Sequence, residues 1–240
     1  TRYGEDIYGK SMLPELLTAL CEIDGFKWIR TLYCYPERIT DELLDVIAKE
    51  DKLVKYLDMP IQHCDKTILK RMNRRGDRET LTALIKKIRE KIPNVTLRTT
   101  LITGFPGETK EQFEELCEFV KEIRFERLGC FAYSPEEGTP AEKFEDQVPL
   151  KDRERRAEII MEEQMIISDS LNEAALDSEV EVVCEGFDRY AECYYGRSQA
   201  DAPEIDGKIF FLSEDKVRVG EYVKVKIDDT MDYDLIGSKM

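Results

Sequence analysis

The stretch that most constrains the fold is Thr96-Leu-Arg-Thr-Thr-Leu-Ile-Thr-Gly-Phe-Pro-Gly-Glu-Thr-Lys110. It is a run dense in β-branched residues, then a Gly-Pro-Gly turn, then a helix start. β-branched crowding from Thr96 to Ile102 suits a buried strand. Gly104 and Gly107 let the backbone turn sharply where a Cβ would resist. Thr109 and Gln112 have the spacing of a capping box. A strand feeding a helix through so short a turn is half of a parallel βα unit. Bare glycines at a helix start are also expected to leave amides uncovered, where a polar or anionic ligand group can be held. An ordinary βα connection uses the same residues.

The same alternation runs through the first part of the chain. Lys27 to Tyr35 reads as a strand closed by Pro36. A helix over 40–49 follows, with Thr40 as cap, acids in its first turn, and Leu43, Leu44 and Ile47 on one face. Strands are predicted over 53–61, 95–103 and 127–133, and helices over 65–72, 78–91 and 109–123. In the last of these helices Phe113, Leu116, Val120 and Ile123 point inward. The strand spacing suits right-handed crossovers, so an α/β parallel sheet or partial barrel is expected. A charged helix over 150–176 comes next. The pattern then changes to alternating apolar and polar residues, as in Val180, Val182, Cys184 and Tyr222-Val-Lys-Val-Lys-Ile227, with turns at Gly186, Gly196, Gly207 and Gly220. About five short strands imply a small closed OB-like β-barrel.

Parallel βα barrels bind ligands at the trailing ends of their strands. Here those ends are Tyr33–Pro36, Pro60–His63, Thr103–Glu108 and Phe131–Ser134, which hold the least ordinary residues of the region: Tyr33, Gln62, the glycine turn and Tyr133. Arg98, inside a hydrophobic strand, needs an anionic partner. A ligand carboxylate or an internal aspartate meets that need equally.

Composition narrows the function classes. The chain has 240 residues, 51 Asp and Glu against 36 Lys and Arg, and a net charge of −15. Such a field opposes polyanions and favours a basic partner, so a nucleic-acid partner is not expected; no apolar run approaches membrane-spanning length, so neither is a membrane. The seven cysteines are scattered, with no CxxC, and the single histidine is His63. No zinc site of usual spacing and no nucleophile elbow can be assembled. With no secretory signal, the thiols are expected to be reduced, in the cytoplasm. At the end of its strand, His63 suits a hydrogen-bonded structural role more than a site role.

Met59-Pro-Ile-Gln-His63 with Ile68-Leu-Lys-Arg-Met-Asn-Arg74, Ile102-Thr-Gly-Phe-Pro-Gly-Glu-Thr109 and Tyr133-Ser-Pro-Glu-Glu-Gly-Thr-Pro140 resemble, in that order, the radical S-adenosylmethionine methylthiotransferases. Arg2-Tyr-Gly-Glu-Asp6 and Trp28-Ile-Arg-Thr-Leu-Tyr-Cys-Tyr-Pro36 fit as well, and Gly196-Arg-Ser-Gln-Ala-Asp-Ala-Pro-Glu-Ile-Asp-Gly207 resembles the TRAM domain of the RimO group. The resemblance implies the later part of an incomplete, TIM-like radical-SAM (β/α) barrel over 1–149, a linker helix over 150–176 and a TRAM barrel over 177–240. It implies S-adenosylmethionine as cofactor and two 4Fe–4S clusters in the complete protein, one of them bound by a CxxxCxxC loop. It also implies methylthiolation of an aspartate in protein twelve of the small ribosomal subunit.

This chain has no CxxxCxxC and opens on Thr1, so it is expected to be a fragment that ligates no cluster and is inactive alone. By position, Tyr33, Gln62, Arg98, Gly104, Phe105, Pro106, Gly107, Glu108 and Tyr133 are implied to line the cofactor site. Asp201, Glu204 and Asp206 are expected to meet the basic partner. A MiaB-like transfer-RNA methylthiotransferase and a non-catalytic protein-docking module are the alternatives. The acidic tail argues against the first of these.

Overall fold

The computed structural model describes residues 1–240. By internal contacts the chain divides into two compact units, Thr1–Gln164 and Met165–Met240.

The first unit opens with α1 (Glu5–Tyr8) and α2 (Leu13–Cys21), followed by β1 (Ile29–Thr31), α3 (Asp41–Lys49), β2 (Leu53–Asp58), α4 (Lys66–Arg71), α5 (Arg78–Lys91), β3 (Thr96–Thr103), α6 (Lys110–Ile123) and β4 (Arg127–Ala132). The strands form one sheet in the order β1-β2-β3-β4, every pair parallel. Side-chain caps start the helices where expected. Thr40 accepts from the Leu43 amide, Asp65 from Ile68, and Thr109 with Gln112 closes a full capping box. α1 and α2 were not foreseen; α2 begins with a proline in its first turn and has a mixed surface pattern.

The period-2 alternation of β3 decides which face is covered. Leu97, Thr99, Leu101 and Thr103 are buried, whereas Arg98, Thr100 and Ile102 are partly open. Leu43, Leu44 and Ile47 of α3, Ile85 and Ile88 of α5, and Leu116, Phe119 and Val120 of α6 are all buried. Each such apolar side chain contributes about 1.5–3 kcal/mol when fully removed from water. The other face of the sheet stays uncovered at Phe131, which is 62% exposed and aligned with Ile102.

A long helix, α7 (Leu150–Glu173), leads into β5 (Glu179–Asp188), β6 (Cys193–Arg197), β7 (Ile209–Leu212), β8 (Tyr222–Met231) and β9 (Asp234–Lys239). These five strands close into a barrel in the order β5-β6-β7-β9-β8. Val182, Cys184, Ile209, Phe211, Val223, Val225 and Ile227 fill it, while Lys224, Lys226 and Asp228 alternate outward along β8. At Gly196 a Cβ would run into the Val183 carbonyl of the neighbouring strand, so only glycine fits there. No helix is long and apolar enough to cross a membrane.

Candidate functional site

Three strand ends of the first unit are tied together by backbone bonds. Beyond β2 the chain keeps following β3: the Met59 amide donates to the Arg98 carbonyl at 2.8 Å, Gln62 to Thr100 at 2.9 Å, and Ile102 to Gln62 at 2.9 Å. The Tyr133 amide, just after β4, donates to the Thr103 carbonyl at 2.8 Å. Gln62, Gly104 and Tyr133 therefore sit on adjacent trailing ends. Gln62 has φ of +70° and Tyr33 has +58°, the left-handed region that non-glycine residues rarely adopt. Backbone held this way is often found where side chains must be aimed at a ligand.

Asp58 organises the β1 and β2 ends. Its carboxylate, 1% exposed, accepts from Arg98 Nη1 at 2.9 Å and from the Tyr33 amide at 2.9 Å. The anionic partner that Arg98 requires is thus an internal aspartate. Tyr33 itself projects outward, 67% exposed, and Gln62 is half-buried.

The glycine turn does not leave its amides uncovered, contrary to the expectation above. The Gly104 amide donates to Glu108 Oε2 at 2.8 Å, Glu108 to the Phe105 carbonyl at 2.9 Å, and Gly107 to the Asp146 carbonyl at 2.8 Å. Long-range partners close the turn, and a local glycine pattern cannot reveal them. Glu108 is the centre of this arrangement. Its carboxylate is fully buried, accepts from Arg156 Nη1 at 2.6 Å, and lies 3.5 Å from His63 Nε2. His63 Nδ1 accepts from the Asp65 amide at 2.9 Å, which places the imidazole proton on the Nε2 facing Glu108.

Arg153, one turn earlier on α7, donates to the carbonyls of Val148 and Tyr133, and Thr103 Oγ1 donates to the Arg153 carbonyl at 3.2 Å. Gly104 has φ of +68°, and a Cβ there would come within 2.9 Å of Arg153 Cα. Phe105 stacks edge-on against Tyr133 at 5.1 Å and against Phe144 at 6.3 Å. Pro106 is buried beside it. The Tyr133 hydroxyl is buried with no hydrogen-bond partner, and desolvation pushes its pKa up. An orphaned buried hydroxyl at a strand end is a group poised to meet a ligand.

Asp58, Arg153 and Arg156 were missed in the sequence. Asp58 did carry a signal: an acid closing the strand Leu53-Val-Lys-Tyr-Leu57, as Arg98 is a lone charge in the neighbouring strand. The two arginines lie three apart on one helix face but are hidden among other charges.

The cysteines do not fit an iron–sulfur site. All seven are free thiols, and no group of three or more His, Cys, Asp or Glu is arranged to hold a metal ion. Burial pushes Cys64 and Cys130 up to about 12 and Cys117 up to about 11, whereas a cluster requires thiolates.

In the barrel, Asp201 is 3% exposed and accepts from the Ser198 amide at 3.0 Å and hydroxyl at 2.7 Å. Asp206, half-buried, accepts from the Ala202 amide at 2.7 Å. Both carboxylates shape the loop 198–207. Glu204, at φ of +61°, is the exposed acid of the three.

The chain is similar to known proteins over both of its units. Residues 3–120 match the radical SAM superfamily, and residues 178–239 match the TRAM domain. A protein of Lachnoclostridium phytofermentans named ribosomal protein uS12 methylthiotransferase RimO is 51% identical over 99% of this chain. A protein of that name from Clostridium botulinum (strain Okra) is 48% identical over 99%. The chain spans about half the length of these curated relatives, 54% and 53%. Among solved structures, coproporphyrinogen III oxidase (HemN) from Escherichia coli, described as a radical SAM enzyme, superposes with a TM-score of 0.50 at 24% identity. That match covers 65% of this chain and 36% of the other, and it supports the fold alone.

Proposed function

The chain belongs to the radical SAM methylthiotransferases, RimO group, and from that premise we propose that it is part of an enzyme that adds a methylthio group to an aspartate of ribosomal protein uS12. The observation that carries this reading is the convergence of Gln62, Gly104 and Tyr133 on adjacent strand ends of the part that matches the radical SAM superfamily.

In this reading S-adenosylmethionine lies along those ends. The exposed Tyr33 ring, the Gln62 carboxamide and the Tyr133 hydroxyl face it, and Arg98, its charge balanced by Asp58, lies nearby. Gly104, Phe105, Pro106, Gly107 and Glu108 set the height and direction of the strand ends. Glu108 acts from inside the turn, through the Gly104 amide. Bound together, cofactor and cluster supply the radical chemistry that side-chain acids and bases cannot. In this reading the thiolates for both 4Fe–4S clusters come from outside residues 1–240; the dispersed, buried thiols here support that division. This chain alone is then inactive.

The acidic barrel serves recognition. From Met165 onward there are 18 Asp and Glu against eight Lys and Arg, a field that attracts a cationic protein and repels nucleic acid. A cytoplasmic location follows from a ribosomal substrate. Anaerobic incubation of the chain with iron and sulfide, read by visible absorbance, tests the division of labour. No stoichiometric cluster is expected; one that forms refutes it.

A further inference from the structure

His63, the one histidine of the chain, is fully buried and has no part in the cofactor reading. It follows Gln62 directly, and its surroundings assign both ring nitrogens. Nδ1 accepts from the Asp65 amide at 2.9 Å, so the proton sits on Nε2. That Nε2–H has no hydrogen-bond partner: Glu108 Oε2 stands 3.5 Å away, about half an ångström beyond an ordinary N–H···O bond. A buried donor left in this state is rare in folded proteins. The oxygen it faces is also the acceptor of the Gly104 amide at 2.8 Å, while the other Glu108 oxygen takes Arg156 at 2.6 Å. A second tie joins the same two segments. Gln112 Nε2 donates to Asp65 Oδ1 at 2.8 Å, and Gln112 Oε1 accepts from the Thr109 amide at 2.9 Å. The stretch 62–65 and the turn 104–112 are thus fastened at one point and face each other across an unmade bond at another.

We propose that His63 is a positioning residue for the cofactor: its Nε2–H closes onto Glu108 when S-adenosylmethionine is seated, locking Gln62 against the glycine turn. The inference rests on the reading that the cofactor lies along these strand ends. Gln62 is held at φ of +70° by backbone bonds to Thr100 and Ile102 and by the buried ring that follows it. A ligand seated against Gln62 therefore acts on His63 through one peptide unit, and on Gly104 through the shared carboxylate oxygen. Contacts of this kind are often long in an empty site and tighten only in the complex. A ring that merely fills the core would have the same Nε2–H environment with and without cofactor.

The test follows the Nε2-bound proton of the isotope-labelled 240-residue chain during titration with S-adenosylmethionine; one histidine gives one resonance. It should move downfield as the Gln62 and Gly104 amides shift, a measurement that needs no variant. Two variants then separate positioning from packing, with a urea midpoint recorded for each. His63→Asn keeps an acceptor at the place of Nδ1 but has no atom that reaches Glu108. It should weaken cofactor binding about tenfold, the worth of one hydrogen bond to a charged group. His63→Gln places a donor where Nε2 stood and should bind within about threefold of wild type, whatever its midpoint. If the strand-end amides respond to cofactor but the Nε2 proton does not move, or if the two variants bind alike, the positioning role fails and the cofactor reading stands. If cofactor leaves the strand-end amides of the wild-type chain unmoved, that reading fails and the role of His63 with it.

Discussion

Replacing Glu108 with alanine probes the buried link between the glycine turn and α7. The carboxylate has no exposure, and Arg156, its 2.6 Å partner, keeps only 17% of its side-chain surface. Truncation leaves a nearly buried guanidinium without its counter-charge and the Gly104 amide without its acceptor. Removing one member of a buried pair costs about 3–5 kcal/mol, and the residual exposure of Arg156 points to about 3. With a urea m-value of about 2 kcal/mol/M for a unit of this size, the midpoint should fall by about 1.5 M. The single tryptophan, Trp28, lies in the first unit and reports its unfolding by fluorescence. Glu108→Gln keeps an acceptor for Gly104 but not the charge, so its midpoint should fall between wild type and alanine. A shift below about 0.5 M for Glu108→Ala, or equal losses for Ala and Gln, would refute the assignment of Glu108 as the paired anchor of the turn.

Other predictions address separate links. Gly104→Ala forces a Cβ at positive φ against Arg153 and should destabilise the first unit by more than 2 kcal/mol, approximately the sum of backbone and packing terms, in the same urea assay. Thr109→Ala removes one half of a capping box and should cost about 1 kcal/mol there. The raised pKa values of Cys64, Cys130 and Cys117 mean that the folded chain binds these protons more tightly than the unfolded chain, whose thiols titrate near 9. Their contribution is complete below pH 9 and is lost as pH rises towards 11 to 12, so the urea midpoint should decline in that window; a flat profile there would contradict the burial of these thiols. The acidic barrel should leave transfer RNA unbound at physiological salt in a filter-binding assay, and tight binding that weakens steeply with salt would favour a nucleic-acid substrate.

The elements were legible wherever local chemistry alone decides. Thr40, Asp65 and Thr109 mark helix starts because a cap is satisfied within three residues. The five barrel strands show because inward Val and Ile alternate with outward Lys and Asp along β8. The candidate site was legible only in position. Parallel strands bring Gln62, Gly104 and Tyr133 to one edge whatever their partners are. Whether an amide in the turn is open or engaged depends on Glu108 folding back and on Asp146, 39 positions beyond Gly107, and no short pattern encodes that closure. Arg153 and Arg156 were invisible for a related reason. On a helix as charged as α7, an arginine that reaches into the interior has the same neighbours in sequence as one that faces water. Asp201 shows the converse, an acid that reads as surface but is consumed by the Ser198 turn.

The most direct test of the central claim is a titration of the isotope-labelled chain with S-adenosylmethionine, followed by backbone amide shifts. The account expects changes concentrated at Tyr33, Gln62, Thr103–Gly104 and Tyr133, with the α5 and α6 helices and the β-barrel unmoved. Shifts centred on those helices or on the barrel, or none at any strand end at millimolar cofactor, would contradict it.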